Sequence, residues 1–267
     1  ALGSMDRGRF LAWLALPRTS SWTNPEHRRR HRNEEVIQGS GQHATTLGKG
    51  GDDEQLLRAY LQHFFAHDSN YDAFRDTVSD RLLALLFAET KILLGLGDME
   101  RWYSLLDDPA AYEALRQRVE ISFPPTQPTR FAAADPVSID VDLKNVSTLL
   151  VKVFEIDALT YALAENKEVD ASIDLDGLVA GAETTYSYDA PSLRRIRKHF
   201  EFPELTEAGV YVIDFIGGWI SSRAVIRKGH LEVRERNSSA GHVFEVVDAA
   251  GVPRTDAAIY FGGQRYE

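Results

Sequence analysis

Apolar residues recur at helical spacing in the first half of the chain and at strand spacing in the second. Beyond Gly50-Gly51, Leu56, Leu57, Tyr60, Leu61, Phe64 and Phe65 fall at i, i+1, i+4, i+5, i+8 and i+9. This lays one broad apolar stripe along a helix from about Asp52 to Ala66. A second helix is expected from about Tyr71 to Leu94, carrying Phe74, Val78, Leu82, Leu85 and Leu86. Gly95 and Gly97 should end it, because glycine accepts the left-handed cap conformation. Asp98 and Asp108-Pro109 open two shorter helices, and Phe10, Trp13 and Leu14 mark another near the start. Thr23 and Glu26 have the spacing of a capping box ahead of Arg28, Arg29, Arg30 and Arg32.

Pro124-Pro125-Thr126-Gln127-Pro128 reads as a stiff linker, and beyond it the period becomes two. Val137, Ile139, Val141 and Leu143 alternate with Ser138, Asp140, Asp142 and Lys144, as in a half-buried strand. Leu149 to Ile156 suits a central strand, and Val210 to Ile216 with Ile220 to Ile226 suits a hairpin turning at Gly217-Gly218. Pro191 to Phe202 fits a strand, although Leu193, Ile196 and Phe200 also have helical spacing. A second hairpin is expected to pair Val243–Val247 with Ala257–Phe261 across Asp248 to Gly251.

The fold class is therefore α+β as separate domains, an N-terminal antiparallel helical bundle followed by a mainly antiparallel β-sandwich. Residues 1–4 ahead of Met5 read as an expression scar, and residues 5–51 as a short helix with a basic segment. Residues 52–123 form the helical domain, 129–233 the sandwich, and 240–267 the start of a further β unit or an added hairpin.

Composition narrows the chemistry. The 267 residues contain no cysteine, which excludes disulfides, thiolate nucleophiles and Cys-ligated metals. A net charge of −10 disfavours a general polyanion binder, and acids flank the arginine run, so no nucleic-acid partner is expected. The longest apolar stretch, Leu82 to Leu96, is interrupted by Glu89 and Lys91 and falls short of the ~20 residues needed to span a bilayer.

The second half resembles a macroglobulin-type domain, the sandwich unit of alpha-2-macroglobulin-like proteins. The likeness is carried in order by Leu149 to Ile156, Gly209 to Phe215, and Ser222 to Ile226. It implies a scaffold domain of a larger protein, extracellular or in a bacterial envelope, with neighbouring domains or another protein as partners. Covalent trapping through a thioester is excluded, since that bond needs a cysteine.

Candidate sites are few. His63 and His67 stand four apart on a helix with Asp68 beside them, a spacing that would suit zinc. Phe64 occupies the place where a metalloprotease carries its glutamate base. Ser172, Asp174, Asp176, Gly177 and Glu183 fall at positions 1, 3, 5, 6 and 12 of a calcium loop, with serine where an acid is required. Ile173 and Leu175 alternate with those acids as on an exposed strand. Gly48-Lys49-Gly50-Gly51 lacks the strand that precedes a phosphate loop, and Asp140 and Asp142 share the wet face of a strand. No catalytic residue and no cofactor is assigned. The expectation is a non-catalytic structural or protein-interaction module. The alternatives are a calcium- or zinc-dependent binder or hydrolase, and protease inhibition through an exposed loop at 33–51.

Overall fold

The computed structural model describes residues 5–34, 53–106, 108–239, 241–261 and 264–266. The glycine-lysine segment at 48–51 and most of the loop at 33–51 lie outside the described residues. Helices in the first part begin where a short polar side chain takes up free first-turn amides. Asp6 accepts from Arg9 N ahead of α1 (Arg7–Leu14), and Asn24 accepts from Glu26 N ahead of α2 (Pro25–Arg30). Asn24, rather than Thr23, is thus the cap of α2, with Pro25 in its first turn. Thr23 is buried instead and bridges Val78.

Helix α3 (Asp53–Phe65) buries Leu57, Leu61, Phe64 and Phe65, while Leu56 faces outward. Helix α4 (Asp80–Leu94) is the central element, with an unbroken buried run from Leu86 to Leu93. The single helix expected over 71–94 is broken in two. A short 3-10 turn covers Asp72–Phe74, and the chain then lends its backbone to the segment before α2. Thr77 O accepts from Asn24 N at 2.9 Å, and Ser79 N donates to Trp22 O at 2.8 Å. A continuous helix would have used those groups internally.

Gly95 ends α4 at φ +65, and Leu96 N returns to Lys91 O at 2.9 Å. Glycine is favoured there by this left-handed conformation, and the Arg194 guanidinium lies over the space a side chain would take. Helices α5 (Met99–Leu105) and α6 (Pro109–Gln117) are capped by Asp98 and Asp108.

One core joins these helices, with Phe10, Leu61, Phe65, Phe74 and Phe87 among its members. Arg18 is buried beside it, its guanidinium 3.9 Å from the Trp13 ring centroid and bonded to Asp53 at 2.6 Å.

The described chain divides into two compact units. The helical one holds the described residues up to Glu120 together with Leu143–Asn145 and Ala190–Ile196. In that unit Arg118 lies between Glu89 and Glu120, and Arg195 bonds Glu120 from another side. Lys144, wholly buried, donates to Arg118 O at 2.7 Å; burial holds its ammonium pKa below the ordinary lysine value, with Glu120 pulling the other way.

The second unit holds Ile121–Asp142, Val146–Asp189 and the described residues from Arg197 on. The strands are β1 (Glu120–Ser122), β2 (Arg130–Phe131), β3 (Ser138–Lys144), β4 (Thr148–Ile156), β5 (Ala182–Ser187), β6 (Ile196–Glu201), β7 (Gly209–Gly217) and β8 (Ile220–Lys228). They form a three-stranded sheet in the order β1-β3-β6 and a five-stranded sheet in the order β2-β8-β7-β4-β5. Residues 196–201 are therefore strand, the reading favoured from the sequence. The proline-rich segment is not a free linker. The Gln127 side chain donates to Ser138 O at 2.9 Å and accepts from Asp140 N at 2.7 Å, stitching that segment to β3.

Alternation places Val151, Ile213, Phe215 and Ile226 in the sandwich interior, where Phe215 meets Phe200 edge-on at 5.3 Å. The opposite face of the five-stranded sheet is covered in part by helix α7 (Ala158–Glu165) and the loop after it. Val169, Ile173 and Leu175 of that loop pack on Phe154 and Val212. The sequence reading contained no such helix.

The last strands also differ from expectation. Val243–Val247 does not pair with 257–261. It belongs to β10 (Gly241–Val247), which pairs with β9 (Glu232–Ser238). The turn at 248–251 returns only to a single bridge, Val247 with Pro253, made by Asp248 N donating to Val252 O at 2.9 Å and Arg254 N to Val246 O at 2.8 Å. β11 (Ile259–Phe261) pairs with β12 (Gln264–Tyr266).

Candidate interaction surface

The two histidines lie exposed at the end of α3, with ring centroids 6.4 Å apart and edge-to-face. Asp68 does not complete a metal set with them. Its carboxylate takes Arg7 at 2.9 Å, and its carbonyl takes the Lys91 ammonium at 2.8 Å.

The calcium template is likewise pulled apart. Ile173 and Leu175 are buried, which turns Ser172, Asp174 and Asp176 outward. Asp174 accepts from Asp176 N at 2.9 Å, a local turn that leads into Gly177 at φ +83. Glu183 sits on β5 opposite Lys152, 3.2 Å away. Among the described residues no group of three or more His, Asp or Glu side chains is placed to hold a metal ion.

Asp140 and Asp142 are partnered across the sheet by His199 at 2.7 Å and by Arg197 in a two-pronged pair at 2.7 and 2.8 Å. Both carboxylates thus serve as cross-strand ion-pair partners on the exposed face of β3. The arginine run decorates α2, where its positive charges complement the carbonyl end of the helix dipole. Arg29 pairs with Glu26, and Arg30 donates to Asp76 O.

What the fold leaves open is apolar surface. Next to α7 lies a cleft of about 440 Å³ with walls from Ala158, Ala162, Val210 and Leu231. Of the cations lining it, Arg227 bonds Val169 O at 2.7 Å and pairs with Glu168 at 3.3 Å, and Lys228 bonds Leu205 O at 2.7 Å. Leu159 and Leu163, one turn apart on α7, face outward.

At the far end of the same sheet is the β7–β8 turn. The register closes Gly217 on Ile220, which leaves two residues in the turn. Both have positive φ, +56 at Gly218 and +68 at Trp219. Such a turn matches the twist of a β-ribbon but suits Asn-Gly, not a bulky second residue. Left-handed backbone at tryptophan costs ~1–2 kcal/mol. No packing offsets it, because the Trp219 side chain is fully exposed. Nothing in the alternation of β7 and β8 pointed to it. The available signal was an aromatic residue directly after two turn glycines.

Among the described residues no helix is long and apolar enough to cross a membrane. The fold is a helical region followed by an immunoglobulin-like β-sandwich, and comparison with known proteins falls on the same two parts. Residues 149–229 match the family model described as the first immunoglobulin-like domain of AbpF, and residues 1–119 match the N-terminal domain of actin-binding protein F.

The chain is 35% identical over 217 residues, 80% of its length, to a Dictyostelium discoideum protein named "Actin-binding protein F", of which it spans 9%. A solved Escherichia coli alpha-2-macroglobulin segment, MG0-NIE-MG1, is 12% identical over 51% of this chain and 48% of its own, at a TM-score of 0.37. That likeness is too slight to support a macroglobulin parent. The segments that carried the macroglobulin resemblance lie inside the immunoglobulin-like match, because alternating strands of this kind are common to many sandwiches.

Proposed function

We propose that the chain is a protein-binding part of a long, non-catalytic actin-binding protein, with actin filaments as its partner. One observation carries this reading: 35% identity across 80% of the chain to a protein named for binding actin. The helical and the immunoglobulin-like parts each match a model from that same protein. The surface is consistent with it, since its open features include an apolar cleft, an outward leucine pair and a projecting tryptophan. Protein interfaces draw their energy from groups of this kind.

The test is co-sedimentation of the full chain with actin filaments. Saturable pelleting at micromolar filament is expected, on the order of −8 kcal/mol of binding free energy. A chain that stays in the supernatant at every filament concentration removes the actin reading.

A further inference from the structure

We propose that Trp219 is the anchor residue of this binding, and that it inserts from the β7–β8 turn into an apolar pocket on the protein partner. The inference rests on the actin reading for the partner, but its evidence is independent of the comparisons. A residue that strains its own backbone and touches nothing gives the isolated fold no benefit. A covered indole, in contrast, buries ~150–250 Å² and is among the commonest interface anchors.

The backbone at the base of the turn is held firmly. Gly217, at its base, is packed so closely that an added side-chain carbon would lie 2.6 Å from Val146 Cγ1 and 2.7 Å from Thr148 O. Tyr188 N holds Ser147 O at 2.8 Å, which ties the adjoining segments at this end of the sheet. A turn whose backbone is fixed before binding loses little main-chain freedom on docking.

The charge pattern selects a protein over a lipid surface. Segments 146–148, 187–189 and 217–222 carry one acid, Asp189, and no lysine or arginine. Aromatic residues that anchor proteins to anionic membranes work alongside basic ones. The chain as a whole also carries −10, which an anionic bilayer would repel.

The experiment uses Trp219→Asn in the full chain, since asparagine tolerates left-handed backbone. The melting midpoint should be unchanged or higher than that of the native chain. Affinity for actin filaments should fall at least ~10-fold, as for loss of an interface anchor. Trp219→Phe, which keeps a ring, should fall between the two. Undiminished pelleting of Trp219→Asn, with the native chain binding, overturns the anchor and leaves the actin reading intact. A native chain that fails to pellet removes both. Pelleting with phosphatidylserine–phosphatidylcholine vesicles that is lost in Trp219→Asn also overturns the proposal, since the partner would then be lipid.

Discussion

Asp157 shows how single residues place the surface around the sandwich. It caps α7, accepting from Thr160 N at 3.0 Å and Thr160 Oγ1 at 2.7 Å. The amide bond, reinforced by the hydroxyl, holds its carboxyl pKa below the ordinary aspartate value. A depressed folded-state pKa stabilises at pH above the unfolded value and is lost as pH falls through the folded one. Hydrogen-exchange protection of α7 should therefore be flat at neutral pH and decline in acid, below about pH 4. Asp157→Ala should lower that protection at neutral pH, whereas Asp157→Asn should keep the cap and abolish the acid step.

At the same scale, Asp174 illustrates how packing disperses the side chains of a template match. Its position fits a calcium loop, but two buried neighbours fix the side chain's direction, and a turn amide occupies its oxygen. Titration with millimolar calcium should release no binding heat; a saturable signal would restore the calcium site.

Among the elements, those with long regular periods were legible in the sequence. The α3 stripe, the alternation of β3 and the β7–β8 hairpin all lie where the pattern puts them, because α3 and β3 each bury one continuous face and β7 is an apolar run buried on both. Breaks were not legible. The interruption before α4 comes from backbone bonds to residues 22 and 24, more than fifty positions away, which local patterning does not encode. α7 has eight residues and no fully buried side chain, so its stripe is too short to register. The β9–β10 pairing was missed because Val233, Val243 and their neighbours are exposed and offer no one-sided stripe.

Two substitutions test the elements that matter most. Phe215 on β7 is wholly buried and meets both Phe200 and Phe123, so Phe215→Ala should lower stability by about 3–5 kcal/mol in chemical denaturation. Arg118→Met leaves Glu89, a nearly buried carboxylate, without its cation, while Arg195 still serves Glu120. A loss of about 1–2 kcal/mol is expected, below the ~3–5 kcal/mol of a fully buried pair because Arg118 is itself partly exposed. No measurable change would show that water supports Glu89 equally well.

For the molecule as a whole, the α+β layout was legible because composition and period change together between the two parts. The binding surface was less so. Charged and histidine-bearing motifs drew attention in the sequence, and the fold turns nearly all of them to local pairing. The distinctive residue, Trp219, is conspicuous only once its backbone angle and exposure are both known. The chain spans 9% of its curated relative, so filament binding by this part alone is the central claim at risk.

Co-sedimentation with actin filaments at two ionic strengths tests it most directly. The account predicts saturable binding that weakens little between low and physiological salt, because the proposed anchor is uncharged and its surroundings lack cations. Absence of pelleting at both salts would contradict it, as would binding that vanishes when salt is raised and is indifferent to Trp219.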